Sequence, residues 1–283
     1  MHDPDATSSR PQDNECWNAA ATGWEAERER MWEASRAVGE GLIEMAAPAP
    51  GEVVLELAAG SGDTGFLAAR LIGDQGVLIT SDRSAAMLDS ARRRAGELGV
   101  SNAEFREVDA ERIDLASASV DVVLCRWGYM LLDDPLAGLR ETRRVLRPGG
   151  RVAFAVWAPR TENPWSTVIF DMFDDHGLLP PTNPADPGPF RLGDRDELAT
   201  IVSDAGLELA EMRDLPVLWR YADADDYWQT TGTISPALSK VIPELPAATA
   251  DALRAELAER SRPYADADGS LRLPGVSIGV LAR

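Results

Sequence analysis

Between residues 52 and 157 the chain alternates short apolar, β-branched runs with stretches of helical spacing, and this alternation restricts the fold more than any other feature. EVVLELA (52–58), GVLITS (76–81), the run at 103–108, VDVVLC (120–125) and 151–157 read as strands, the first suited to a central position buried on both faces. Helices are predicted over 63–71, over 84–98 with Ser84 as N-cap and Gly99 just past the end, and over 135–146. Strands and helices at this spacing join as right-handed βαβ units. The expected fold class is α/β: a doubly wound, seven-stranded, mostly parallel sheet with helical lid insertions.

Around this core the rhythm changes. Residues 1–15 are polar and acidic and read as a disordered tail. Residues 16–48 read as N-terminal lid helices, with Trp24, Arg28, Met31, Trp32, Ser35, Val38 and Leu42 spaced at threes and fours. The core occupies 49–159, a Pro-rich and aromatic lid insertion 160–193, and a helix and strand of the core 194–222. A second, helical lid insertion covers 223–265, and a last core strand lies in 266–283.

Where the first strand meets the first helix stands Glu56-Leu-Ala-Ala-Gly60-Ser61-Gly62-Asp63-Thr64-Gly65. Glycines there permit positive φ and close approach of a ligand to the backbone. Gly60, Gly62 and Gly65 spell G-x-G-x-x-G, and Asp82 ends the second strand at the spacing of a ribose-binding acid. A nicotinamide dinucleotide is one reading. However, Glu56 beside the loop would repel a pyrophosphate held at the helix N-terminus, whereas it suits a ligand with a cationic amino group and no phosphate, such as S-adenosylmethionine.

VVLELAAGSGDTG (53–65), ITSDRSAAML (79–88), VDAERID (108–114), VDVVLCRWGYMLLDDPLAGLRETRRVLRPGG (120–150) and RVAFAVWAP (151–159) resemble, in order and spacing, the motifs of class I S-adenosylmethionine-dependent methyltransferases, in particular the ubiquinone/menaquinone-biosynthesis type. The resemblance covers about residues 50–160. It implies S-adenosyl-L-methionine as cofactor, with Glu56 anchoring its amino end and Ala58, Gly60, Ser61 and Gly62 lining its methionine part. Asp82 would hold both ribose hydroxyls; Arg83 and Met87 would cover the adenine, and Asp109 and Ala110 would meet its edge. Cys125 and Arg126 would flank the methionine and the transferred methyl, although Arg126 equally suits a surface ion pair. Glu56 and Ala59 stand where the family more often has Asp and Cys or Gly, and Arg83 where it often has an apolar residue.

Methyl transfer from a sulfonium is an in-line displacement that chiefly needs an acceptor held close, aligned and dry. His176 and Tyr129 are the candidate catalytic bases; a capping or solvated role for His176 and a wall role for Tyr129 are the plainer readings. Trp17, Trp24, Tyr129, Trp157, Trp165, Phe173 and Trp228 are candidates for an apolar acceptor pocket at the strand ends, the alternative being lid packing. The expected acceptor is a small aromatic or hydrophobic metabolite: a quinone, a phenol or a polyketide-like compound.

The formal net charge of −19 repels phosphate backbones and argues against nucleic-acid acceptors, as does the lack of an Asn/Asp-Pro-Pro-Tyr motif after the fourth strand. Two cysteines and two histidines match no metal spacing, so no metal is expected. No run reaches membrane-span length and the N-terminus lacks signal-peptide character, so a cytoplasmic monomer or homodimer is expected. An NAD(P)-dependent oxidoreductase, a non-catalytic S-adenosylmethionine-binding protein and an aminopropyl-transferring relative are the rival readings.

Overall fold

In the computed structural model, residues 10–181, 183 and 185–283 are described, the side chains from Trp17 onward. Seven strands form one sheet in the order β3-β2-β1-β4-β5-β7-β6. β1 (Val53–Leu57), β2 (Val77–Asp82), β3 (Ala103–Glu107), β4 (Val120–Arg126) and β5 (Leu146–Trp157) are parallel. β7 (Leu271–Ala282) runs antiparallel to both β5 and β6 (Leu209–Tyr221).

Burial explains why these runs are strands. Val54, Leu55, Val122, Val123 and Leu124 are inaccessible to solvent, as continuous apolar runs covered by helices on both faces should be. β3, at the edge, keeps Glu104, Arg106 and Glu107 exposed, charges that discourage pairing with another chain. The strand order reverses between β1 and β4, which opens a crevice at their C-terminal ends.

The helices start where short polar side chains satisfy their first N–H groups. Ser84 accepts from Met87 at the head of α4 (Ala85–Leu98), Asp134 from Ala137 at α5 (Pro135–Val145), and Asp194 from Asp196 and Glu197 at α7 (Arg195–Asp204). α3 (Asp63–Ile72) differs: its N-cap is Gly62, which has no side chain to cap with.

Residues 10–15, read from the sequence as part of a disordered tail, lie within a helix, α1 (Arg10–Ala26); residues 1–9 of that tail fall outside the described residues. The N-terminal segment forms two helices, with Glu27 between α1 and α2 (Arg28–Ala46). α2 lies on the sheet so closely that a Cβ on Gly41 would come within 2.5 Å of Leu215. α6 (Pro164–Asp175) occupies the first late insertion, and α8 (Ala224–Ile234), α9 (Leu238–Val241) and α10 (Ala247–Ser261) the second. α10 packs on α6 and α8, and α8 in turn meets α1, so the insertions and the N-terminal helices join as one layer. No helix among the described residues is long and apolar enough to cross a membrane.

Candidate active site

The loop after β1 turns through Ala58 at φ 50°, Gly60 at 55° and Gly62 at 81°. Ala58 carries a side chain in the left-handed region, a strained state for a non-glycine residue, and it is exposed at the mouth of the crevice. A Cβ on Gly60 would meet nothing within 4 Å, so this backbone faces open space.

Two acids flank the loop. Glu56 is 2% exposed; its Oε1 accepts the Gly65 N–H at 2.8 Å, and its Oε2 has no partner. Burial pushes this carboxyl up to about 8, against the opposing effects of the Gly65 hydrogen bond and the Arg126 charge. Asp82, at the end of β2, accepts the Gly60 N–H at 2.9 Å on Oδ2 and the Ser84 N–H at 2.9 Å on Oδ1. Burial raises its pKa as well. Each oxygen keeps a further acceptor position.

Glu56 supplies a pH signature. Its unfolded carboxyl titrates near 4.5 and its folded one near 8, so the native state holds an extra proton in between. The stability this confers is complete at the acid end and is lost as pH rises through that window. The wild-type melting temperature is therefore expected to fall between about pH 5 and pH 8 more steeply than that of Glu56→Gln. Parallel melting curves for the two proteins would contradict this.

Across the crevice, Arg126 at the end of β4 donates Nε–H to Thr64 at 3.0 Å and lies over the Trp127 ring, 4.7 Å from its centroid. Burial lowers its pKa, an effect opposed by the charges of Asp63 and Glu56. Asp63 accepts from Ser61 Oγ at 2.6 Å and from Arg94 Nε at 3.1 Å. Cys125 is buried, with its thiol pushed up to about 12 by that burial, and a Cβ on Gly128 would strike its sulfur and the Ala58 methyl. Met87 is buried against the same cleft; Arg83, Asp109 and Ala110 are half-buried at the ends of β2 and β3, with Asp109 accepting the Glu111 N–H at 2.9 Å.

An aromatic wall continues from Trp127, which is left-handed at φ 62°, ties its indole N–H to Ser277 at 2.8 Å and stacks on Trp157 with centroids 4.2 Å apart. Trp157 meets Trp165 at 4.6 Å, and Trp165 meets Phe190 at 6.4 Å.

Several sequence-derived candidates lie elsewhere. Tyr129 is wholly buried in the core, its hydroxyl 2.5 Å from Thr142 Oγ1 and its ring edge-on to Phe154, and burial lifts its pKa well above the phenolic range. It is therefore neither a base nor a pocket wall. His176 ends α6 at the surface and pairs with Glu256 of α10 at 2.8 Å, a link between lid helices rather than a catalytic group. Phe173 and Trp228 are buried against each other, centroids 5.4 Å apart, and form lid core rather than an acceptor pocket. Trp17 and Trp24 pack edge-to-face on α1, and Trp24 both bonds the Ile234 carbonyl and reaches the cleft.

The N-terminal helices, expected as a lid, do cover the cleft, but of the residues that close it only Trp24 is a candidate on sequence grounds. Trp24, Arg28, Met31 and Trp32 of the N-terminal helices close over Ser61, Asp63, Met87, Ser90 and Arg126. The spacing of Trp24, Arg28, Met31 and Trp32 marks the face involved; the many Glu and Arg between them hide which residues reach the cleft.

A strand-order reversal with a glycine loop, and an acid at or near the end of each of two neighbouring strands, form a small-molecule site of the kind found at the C-terminal edge of open α/β sheets. Residues 54–150 match a family described as methyltransferase domain. It is 33% identical over 119 residues to the ubiquinone/menaquinone biosynthesis C-methyltransferase of Coxiella burnetii, covering 42% of this chain and 48% of that one. It is 39% identical over 110 residues to the arsenite methyltransferase of Halobacterium salinarum, covering 39% of this chain and 28% of that one. The matched stretch thus spans less than half the length of these curated relatives. Among solved structures, one from Bacillus halodurans superposes with a TM-score of 0.58 at 19% identity, covering 87% of this chain and 97% of that one, a likeness of fold.

Proposed function

We propose that the chain transfers the methyl group of S-adenosylmethionine to a small acceptor with a flat or hydrophobic body, in the cytoplasm. The observation that carries this reading is the Glu56 carboxyl: buried, with one oxygen unpartnered, beside a loop whose backbone faces open space. A buried acid without a partner is costly and fits a cationic ligand. An ammonium beside Glu56 would favour loss of its proton and pair with the resulting carboxylate, whereas a pyrophosphate would gain nothing from it, which disfavours the oxidoreductase alternative.

In this reading Glu56 receives the ammonium, Asp82 the two ribose hydroxyls, Met87 and the Arg83 stem the adenine, and Asp109 and Ala110 its edge. When bound, the cofactor supplies a methyl activated by a sulfonium. The chain's own work is positioning: Trp127 and Trp165, packed on opposite sides of the buried Trp157, offer aromatic surface, and the lid helices exclude water. With Tyr129 and His176 engaged elsewhere, the acceptor must arrive as a competent nucleophile or give its proton to water. The wall favours an aromatic acceptor over arsenite. A soft, thiophilic ion asks for thiolates, and the buried Cys125 thiol stays protonated at neutral pH.

Labelled-methyl transfer across quinols, phenols and enolisable carbonyl compounds, with RNA and protein as controls, tests the proposal. Turnover is expected with a member of the first group. His176→Ala and Tyr129→Phe are expected to keep kcat within about twofold of wild type. Transfer to RNA or protein alone, or loss of turnover in either variant while the fold persists, would overturn it.

A further inference from the structure

The ribbon of β6 and β7 outlasts the rest of the sheet. β5 ends at Trp157, opposite Ser277, whereas β6 and β7 stay paired from Pro216 opposite Val276 to Tyr221 opposite Leu271. Because β5 is parallel to β4 and β1, this ribbon rises beyond the sheet at the end where the glycine loop opens. Its side chains alternate as those of a strand must: Leu215, Val217, Trp219 and Tyr221 are buried, Pro216 and Arg220 exposed. α2 covers the inward face, touching Leu215 at Gly41 and reaching Tyr221 at Arg30, whose guanidinium lies over that ring. Trp219 lies between these two points, beneath the end of α2 whose Met31 and Trp32 line the cleft. Beside it stands Trp165. Gly275, opposite Val217, leaves room for that ring, since a Cβ there would come within 2.6 Å of it. Asn163, wholly buried, fixes Trp165 and spends every hydrogen-bonding position it has. Its Nδ2 donates to the carbonyls of Ala158 at 3.0 Å and Pro159 at 3.2 Å, and its Oδ1 accepts the Trp165 indole N–H and the Val276 N–H, each at 3.0 Å. Trp127, Trp157, Trp165 and Trp219 thus form a run of indoles from the end of β4 to the ribbon, the last two with centroids 5.9 Å apart. The indole N–H of Trp127 goes to Ser277 and that of Trp165 to Asn163. That of Trp219 has no partner among the described residues, although the residue is 3% exposed. Buried donors are paired in the great majority of folded chains, so an orphan at the edge of a ligand site calls for a partner.

Resting on the proposed function, we infer that the indole N–H of Trp219 is the hydrogen-bond donor to an oxygen of the acceptor, so that the substrate is oxygenated at a point away from the atom that takes the methyl. The flat body of the acceptor lies along the half-buried Trp165 ring, with that oxygen turned toward the ribbon. A ketone, quinone or phenol oxygen accepts such a bond. A hydrocarbon of the same shape fills the same space and leaves the donor unmade, which is how a site built around one buried polar group discriminates. Trp219 thereby narrows the acceptor from flat or hydrophobic bodies in general to oxygenated ones. Its N–H lies beneath α2 and Trp165, so the acceptor meets it where the lid layer gives way.

The test uses the full chain in the presence of S-adenosylhomocysteine and two probes of nearly equal size, 2-acetylnaphthalene and 2-ethylnaphthalene, which differ by one carbonyl oxygen. In equilibrium dialysis Trp219→Phe, which keeps an aromatic ring and removes the donor, is expected to weaken the ketone about tenfold and to leave the hydrocarbon within about twofold. A second measurement needs no variant: in the spectrum of 15N-labelled wild type, the Trp219 indole signal is expected to move downfield with the ketone and to stay in place with the hydrocarbon. Equal effects of Trp219→Phe on both probes, none included, would make Trp219 a packing residue and overturn the inference, as would a bound ketone that leaves the Trp219 signal unmoved. If wild type binds neither probe, the reading of a flat, hydrophobic acceptor falls and the inference with it; if it binds both and the variant treats them alike, only the donor role of Trp219 does.

Discussion

Asp82→Ala is expected to weaken S-adenosylhomocysteine binding by at least about 100-fold, the largest loss of any single side chain in the cofactor site. The carboxylate is fixed in the ligand-free fold by backbone N–H groups from two different segments, Gly60 in the loop after β1 and Ser84 at the head of α4. Each oxygen therefore points its remaining acceptor position in a defined direction, so the hydroxyls of a ribose meet a preorganised partner. Two hydrogen bonds to an ionised acceptor contribute roughly 1.5–3 kcal/mol each, and removal also leaves the Gly60 and Ser84 donors unsatisfied. Asp82→Asn should rescue little, because its amide must turn an NH2 toward one of those two backbone donors. Ser84 also bonds Asn18 of α1 at 2.7 Å, so the loss spreads to the lid. Calorimetric titration decides the matter: an affinity for S-adenosylhomocysteine within threefold of wild type would remove Asp82 from the site.

The parts of the molecule that sequence pattern predicts well are those where local chemistry and tertiary position agree. β1 and β4 are continuous β-branched runs because both faces are covered, and Ser84, Asp134 and Asp194 mark helix starts because a short polar side chain is needed there. The loop is legible for the same reason: Gly60 and Gly62 occupy left-handed conformations. Ala58 and Trp127 occupy them too, yet nothing in their side chains announces it; the surrounding sheet imposes that geometry. Tyr129 misleads because it follows β4 by only three residues, and a single turn of 3-10 helix carries it back under the sheet to Thr142. Arg28 is hidden by its neighbours. A charged residue among charged residues reads as solvated, and only the fold reveals that its Nε is buried and that it lines the cleft with Ser61.

The second large effect is expected from a single methyl group. Gly65→Ala should lower the melting temperature by several degrees and abolish measurable cofactor binding. The added Cβ would lie 2.2 Å from Glu56 Oε2, 2.7 Å from its Cδ and 3.2 Å from Leu78. Helix propensity favours alanine over glycine by about 1 kcal/mol, but overpacking a core costs about 1–3 kcal/mol, and here neither neighbour is free to retreat. Leu78 is fully buried, and Glu56 is tethered by its other oxygen to the Gly65 N–H itself. The carboxyl must leave its place, and its loss from the ammonium position is what removes binding. Glu56→Asp in the same chain retracts the acid by one methylene and should restore the melting temperature of Gly65→Ala toward wild type, a non-additivity that identifies the clash as the cause. Calorimetry on the two single variants and the double one reads this directly. Additive losses would mean that the glycine serves some need other than room for Glu56.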